Sequence, residues 1–149
     1  MPEIDDLDRQ IIELLMEDSR FSYREMAKQL GVSHANISSR VKRLEEEGVI
    51  RGYTVVTDPE TLDLYPLCLR ISAKAGADLS EIGKSIASLD RAQVVMRVSG
   101  ECELLALAMC SDRTEAINLL QEVSMISGVD KAESHVVLES IKLSGKNLR

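Results

Sequence analysis

The spacing of apolar residues changes once along this chain, and that change divides it. From Leu7 to Leu44 they recur three and four positions apart, the period of helix faces. From Val49 onward they come in β-branched runs and strict alternations. The 149 residues allow one ordinary domain or two small ones. The switch in period favours two.

Leu7, Ile11, Leu14 and Leu15 form one stripe, so a helix is expected from Asp6 to about Glu17, with acids in its first turn. Ser22-Tyr23-Arg24-Glu25 has the pattern of a capping box, in which a hydroxyl and a carboxylate satisfy two free backbone donors. It opens a second helix that turns Met26, Ala27 and Leu30 inward and stops at Gly31, where a left-handed residue ends the helix without steric cost. Ser33 can cap a third helix with Ile37, Val41 and Leu44 buried and Gly48 as its end. Two short helices joined by a tight glycine turn are a helix-turn-helix pattern.

The side of the third helix opposite its buried stripe carries Ala35, Ser39, Lys42 and Glu46, flanked by Asn36, Ser38 and Arg43. Small residues allow close approach to a groove floor, Ser and Asn read base edges, and Lys and Arg hold phosphates. Net charge is −7, which by itself speaks against a nucleic-acid partner. The distribution speaks for one: between Ser19 and Leu44 the basic residues Arg20, Arg24, Lys28, Arg40, Lys42 and Arg43 face a single acid, Glu25. The residues expected to meet double-stranded DNA are Ser33, His34, Ala35, Asn36, Ser38, Ser39, Arg40, Lys42 and Arg43.

Val49 to Val56 is β-branched with a glycine inside, which fits a two-stranded wing or an extended arm. Turn residues from Thr57 to Thr61 mark a boundary. Beyond it the order reads β-α-β-β-α-β. Leu67, Leu69, Ile71 and Ala73 alternate with polar neighbours; Asp78 caps a helix with Leu79, Ile82, Ile86 and Leu89 on one face; Val94, Met96 and Val98 alternate again. Leu104 to Cys110 is nearly all apolar, as in an interior strand covered on both faces. Asp112 caps a second helix expected to bury Ala116, Ile117, Leu120 and Val123, and a last strand runs from Lys131 to about Leu143. This describes a ferredoxin-like sheet with helices on one face, whose apolar bare face predicts burial against a second subunit. The fold class is thus α+β: a winged helix-turn-helix domain over 1–57, a hinge at 58–64, and a βαββαβ domain over 65–149.

Three cysteines, none in a CxxC pair, and two distant histidines make a disulfide framework or a metal site within one chain poor readings. The longest apolar run, around Leu104–Met109, is too short to span a bilayer, and the acidic start, Pro2 to Asp6, lacks the apolar region of a signal peptide. A cytoplasmic protein without a membrane partner is expected.

In its motifs the sequence resembles the Lrp/AsnC family, the leucine-responsive or feast/famine transcription regulators. The resemblance rests on residues 7–15 (LDRQIIELL), 27–33 (AKQLGVS), 40–50 (RVKRLEEEGVI) and Gly52-Tyr53, then 99–104 (SGECEL) and 127–129 (SGV). It implies a DNA-binding domain joined to an amino-acid-sensing domain of the type called RAM. It also implies homodimers that assemble into tetramers or octamers, an amino acid or related small molecule as effector between RAM domains, and no cofactor. Family effector sites map onto Arg97, Ser99, Gly100, Glu101, Glu103, Asp112, Arg113, His135, Val136 and Val137. The chemistry fits an amino acid: a glycine turn offers N–H groups to a carboxylate, and Glu101, Glu103 or Asp112 offers a carboxylate to an ammonium. The sequence departs from the family with Glu103 for the common aspartate, Cys102 for an aromatic and Ser127 for a proline. The expected function is sequence-specific, effector-modulated transcription regulation without catalysis. The alternatives are a sirohaem-decarboxylase-like enzyme, similar in architecture, with Arg97, Arg113 and His135 toward tetrapyrrole carboxylates, and a chromatin-like architectural DNA binder.

Overall fold

The computed structural model describes residues 2–143 and 146–147. The chain divides into two compact units, Met1–Val56 together with Lys142–Asn147, and a second that begins at Thr57 and runs to Ile141.

Three helices make up most of the first unit, each started by a side-chain cap; the caps of the second and third are those expected from the sequence. Helix α1 (Asp6–Glu17) opens with a capping box in which the Asp5 carboxylate accepts from the Asp8 N–H at 2.8 Å and Asp8 accepts from the Asp5 N–H at 3.2 Å. Ser22 and Glu25 form the same device at α2 (Tyr23–Leu30), which ends at Gly31 with φ of 68°. Ser33 caps α3 (His34–Glu46) by accepting from the Asn36 N–H. Ile11, Met26, Ala27, Ile37 and Val41 fill the space between the helices, with Leu7, Leu14, Leu15, Phe21, Tyr23 and Ile50 around them. The arm is extended: among the described residues no strand lies between Glu46 and Tyr65, so the wing is not formed within the chain. At its start it is anchored by the Leu44 carbonyl, which accepts from the N–H groups of Val49 and Ile50.

The second unit is a four-stranded antiparallel sheet in the order β2-β3-β1-β4, built from β1 (Tyr65–Ala73), β2 (Ala92–Arg97), β3 (Leu104–Cys110) and β4 (Val129–Val136). Helices α4 (Leu79–Ala87) and α5 (Arg113–Met125) cover one face. Leu67, Leu69, Ile71, Leu104, Ala106 and Ala108 meet Ile82, Ile86, Ala116, Leu119 and Val123 there. This is the ferredoxin-like arrangement expected from two β-α-β halves. The buried stripe of α5, the end of β4 and the one-sided burial of β3 differ from the sequence reading. The buried stripe of α5 is Ala116, Leu119 and Val123, with Ile117 exposed, because the face set by packing lies part of a turn from the one that apolar spacing suggested. The last strand ends at Val136; the Val137 N–H still reaches the Pro66 carbonyl, but β1 begins at Tyr65 and leaves nothing further to pair. Two short strands, β5 (Lys142–Leu143) and β6 (Lys146–Asn147), follow and pair with each other.

The uncovered face of the sheet is split in chemistry. Register places Met96 beside Leu105, Leu105 beside Arg70, and Arg70 beside Glu133; the next row is Val94, Leu107, Cys68 and His135. The β2–β3 half is apolar and the β1–β4 half is charged. Strand β3 is therefore buried on one face only within the chain, with Leu105, Leu107 and Met109 half-buried.

Two glycines separate backbone strain from steric conflict. Gly31 has positive φ with open space where a Cβ would stand, whereas a Cβ at Gly128 (φ of 90°) would meet Ala77 Cβ and Ile82 Cδ1 at 3.1 Å. Gly31→Ala is expected to cost about 1 kcal/mol from backbone strain. Gly128→Ala is expected to cost about 2 kcal/mol or more, as strain and crowding add. Urea denaturation that ranks the two in the opposite order contradicts this packing.

Candidate nucleic-acid interface and effector regions

Helix α3 presents a small, polar strip. His34, Ala35, Ser39 and Lys42 are exposed, with Asn36 and Ser38 half-buried at its margins. The Ser39 hydroxyl donates to the Asn36 carbonyl at 3.0 Å, so its oxygen lone pairs face outward. The His34 ring lies 6.0 Å from that of Tyr23, which sets its direction at the start of the helix. Lys42 is 75% exposed and makes a loose contact at 3.6 Å to Glu46. On α2, Arg24 and Lys28 are also exposed.

The two arginines expected at the interface are committed elsewhere. Asp8, with a side chain 1% exposed, accepts from Arg40 Nη1 at 2.8 Å and from Arg43 Nη2 at 2.5 Å, one oxygen to each. Arg40 also donates through Nε to Asn36 Oδ1 and through Nη1 to Asp5 at 2.7 Å. Arg43 donates to the Glu3 carbonyl at 3.1 Å and reaches Glu47 at 3.4 Å. Arg40, Arg43 and Asn36 thus work first within the protein, as links between α3 and the start of α1. The apparent basic excess of residues 19–44 shrinks accordingly, because Asp5 and Asp8 come from outside that window. Burial pushes the Asp8 carboxyl up, but hydrogen bonds from Arg43, Arg40 and the Asp5 N–H outweigh it and hold the group at about 2.

The sequence reading missed this carboxylate, although a signal was present. Asp8, Ile11 and Leu15 share one helix face at i, i+3 and i+7, so Asp8 stands on a buried stripe and needs a buried cation. Tyr53 supplies a second link: its hydroxyl donates to Glu45 at 2.8 Å, which ties the arm to the end of α3. Burial, and then this bond to Glu45, push the phenol up to about 12.

The residues mapped to an effector site fall into two groups. Arg97, Ser99, Gly100, Glu101 and Glu103 cluster at the β2–β3 turn, where Arg97 faces Leu104 and Leu104 faces Ile71. Asp112 and Arg113 follow Cys110, which faces Tyr65 at the other end of β3, roughly 20 Å away by strand rise. Val136 and Val137 lie near that second end, beside Leu67 and Pro66, and His135 faces Cys68. One chain does not bring the two groups together. Nor are their carboxylates idle. Glu103 accepts from the Ala73 N–H at 3.1 Å, at the point where β1 and β4 shift register. Glu101 pairs with Arg70 at 2.8 Å while remaining mostly exposed. Asp112 caps α5 through the Glu115 N–H at 2.8 Å. Gly100 has φ of 125°, a conformation natural to glycine.

Comparison with known proteins matches residues 4–45 to the AsnC-type helix-turn-helix domain and residues 67–146 to the Lrp/AsnC ligand binding domain. The chain is 43% identical over 141 residues to an uncharacterised HTH-type transcriptional regulator of Pyrococcus furiosus, covering 94% of this chain and 95% of the relative. It is 31% identical over 148 residues to the leucine-responsive regulatory protein of Klebsiella pneumoniae, covering 97% and 90%. A transcriptional regulator of Neisseria meningitidis, solved as a complex with L-Met, superposes with a TM-score of 0.78 at 26% identity, covering 95% of this chain and 94% of that one.

Asp8→Asn leaves two guanidiniums facing a neutral amide and is expected to destabilise the first unit by about 3 kcal/mol. The folded pKa of Asp8 lies below its unfolded value of about 3.9. Its contribution is therefore complete above that value and is lost as pH falls toward 2. Thermal melts of Asp8→Asn between about pH 5 and 2 should show a flatter decline than the wild type. Parallel declines would remove Asp8 from the account.

Proposed function

The chain belongs to the Lrp/AsnC family of transcriptional regulators, and from that premise we propose how its parts divide the work. The helix-turn-helix binds double-stranded DNA in a sequence-specific manner, with α3 in the major groove. Ser39 reads a base edge, Ala35 allows close approach, and Ser33, His34, Asn36 and Ser38 line the entry. Lys42 holds a phosphate, helped by Arg24 and Lys28 from α2. The observation that carries this reading is the exposed polar strip of α3, held by caps at Asp5, Ser22 and Ser33. Arg40 and Arg43 act mainly by keeping α3 in place.

The second unit senses a small molecule and assembles the protein. A second copy covers the apolar half of the open sheet face, where Val94, Met96, Leu105 and Leu107 stand together. Dimers of this kind assemble further. The effector is an amino acid or related compound, consistent with the family and with the L-Met complex of the Neisseria relative. Its site draws the β2–β3 turn and the Asp112, His135–Val137 region from different chains, since one chain holds them apart. Residues 1–57, 58–64 and 65–149 serve as reader, hinge and sensor, save that Lys142–Asn147 group with the first unit. The protein is a regulator and not an enzyme: both matched domains are those of transcription factors. The decarboxylase reading is not favoured, and Arg97 and Arg113 also stand at opposite ends of β3.

Lys42→Ala is expected to weaken DNA binding and reduce the salt slope by about one unit. Ser39→Ala is expected to change discrimination between bases by about 1–3 kcal/mol with little change in salt slope. Fluorescence anisotropy with neither effect would reject α3 as the reader. Leu107→Glu places a charge in the apolar half of the open face and is expected to shift sedimentation toward monomer; an unchanged oligomer would place the interface elsewhere.

A further inference from the structure

We propose that the acidic segment ahead of α1 is an intramolecular competitor for DNA phosphate, with Asp5 as the carboxylate that a phosphate displaces from Arg40. The inference rests on the DNA-binding reading and adds a brake to it.

The segment lies along the flank of α3, joined to it by Arg40 and Arg43, with Ile4 half-buried and Glu3 and Asp5 exposed. Between them is a cleft of about 470 Å³ lined by Glu3, Asp5, Asn36, Ser39, Arg40 and Arg43. Ser39 belongs to both the cleft and the exposed strip, so DNA that meets the strip brings its backbone to the cleft mouth. There the guanidiniums are already occupied, Arg40 by Asp5 and Arg43 by the Glu3 carbonyl, each in addition to Asp8.

The two acids hold Arg40 with different permanence. Asp8 is buried and shared with Arg43, and removing it strands two charges. Asp5 is 53% exposed, and an exposed ion pair is weak because solvent and salt screen it. A phosphodiester can therefore take its place at small cost, and counterion release from DNA favours the exchange. Arg40 keeps its direction throughout, because Asp8 and Asn36 continue to accept from it. Asp5 also divides its labour by atom. Oδ1 accepts from the Asp8 N–H and caps α1, while Oδ2 pairs with Arg40. The pair can open without loss of the cap. With Asp5 in place the arginine–carboxylate cluster is close to neutral and offers phosphate little attraction; with Asp5 displaced or uncharged it becomes a preorganised phosphate contact.

Asp5→Asn and Asp5→Ser keep a good N-cap oxygen and remove the charge, so they separate the brake from the cap. Fluorescence anisotropy of full-length protein on a duplex of random sequence, across a salt series, reads the result. Both variants are expected to bind about threefold more tightly than wild type at low salt, with a slope steeper by about one unit. Thermal midpoints of the two variants are expected to match the wild type, which checks that α1 remains capped. Unchanged affinity and slope in both variants overturns the brake while leaving the DNA reading intact, as does weaker binding with unchanged midpoints. Wild-type protein that binds no duplex at low salt overturns the DNA reading, and the brake with it.

Discussion

Asp8 places its two oxygens on two arginines of the recognition helix, at 2.8 Å and 2.5 Å, from inside the protein. That arrangement ties the first turn of α1 to the middle of α3 across more than thirty residues of chain. Apolar packing of Ile11, Met26, Ile37 and Val41 brings the helices together but has little direction. The carboxylate–guanidinium pairs are directional, since the planar fork of each arginine accepts few orientations. They fix the rotation of α3 about its axis, and with it which side chains face outward. The strip of Ala35, Ser39 and Lys42 is presented because Arg40 and Arg43 are drawn onto the adjoining flank of α3, toward the start of α1.

The same division of labour recurs in the second unit. One face of the sheet is closed by α4 and α5 over Leu67, Leu69, Ile71 and Ala106. The other is left half apolar and half charged, which suits a partner surface better than solvent. Glu103, which the proposed function places at the effector turn, has a structural role in the chain itself. It closes the end of β1 through the Ala73 N–H, so a change there would alter strand pairing as well as ligand chemistry. Under the proposed function, the separation of the mapped effector residues along β3 would make sensing and assembly parts of one event, since a site drawn from two chains responds to how the chains meet.

Much of this fold could be read from the sequence because it is announced locally. Asp78, Asp112, Ser22 and Ser33 cap helices where a hydroxyl or carboxylate precedes an apolar period, and Gly31 ends α2 where a left-handed residue is needed. What escaped was settled at a distance. Ile117 looked inward by spacing, but contact with the sheet selects Leu119. The last strand looked longer than β4 because nothing local shows that β1 starts at Tyr65. Arg40 and Arg43 looked like phosphate contacts because their partners, Asp5 and Asp8, lie in another helix turn far back in the chain. For the candidate site, the exposed strip was legible from helix geometry. The split of the effector residues was not, since it depends on strand register.

The most direct test is fluorescence anisotropy of the purified protein on the duplex upstream of its own gene, against a scrambled duplex, across a salt series. A regulator that reads sequence through α3 retains a strong preference for the natural duplex at physiological salt, because base contacts are far less salt-dependent than phosphate contacts. Equal affinity for both duplexes, lost together as salt rises, would contradict the account and reduce the helix-turn-helix to a binder of phosphate alone.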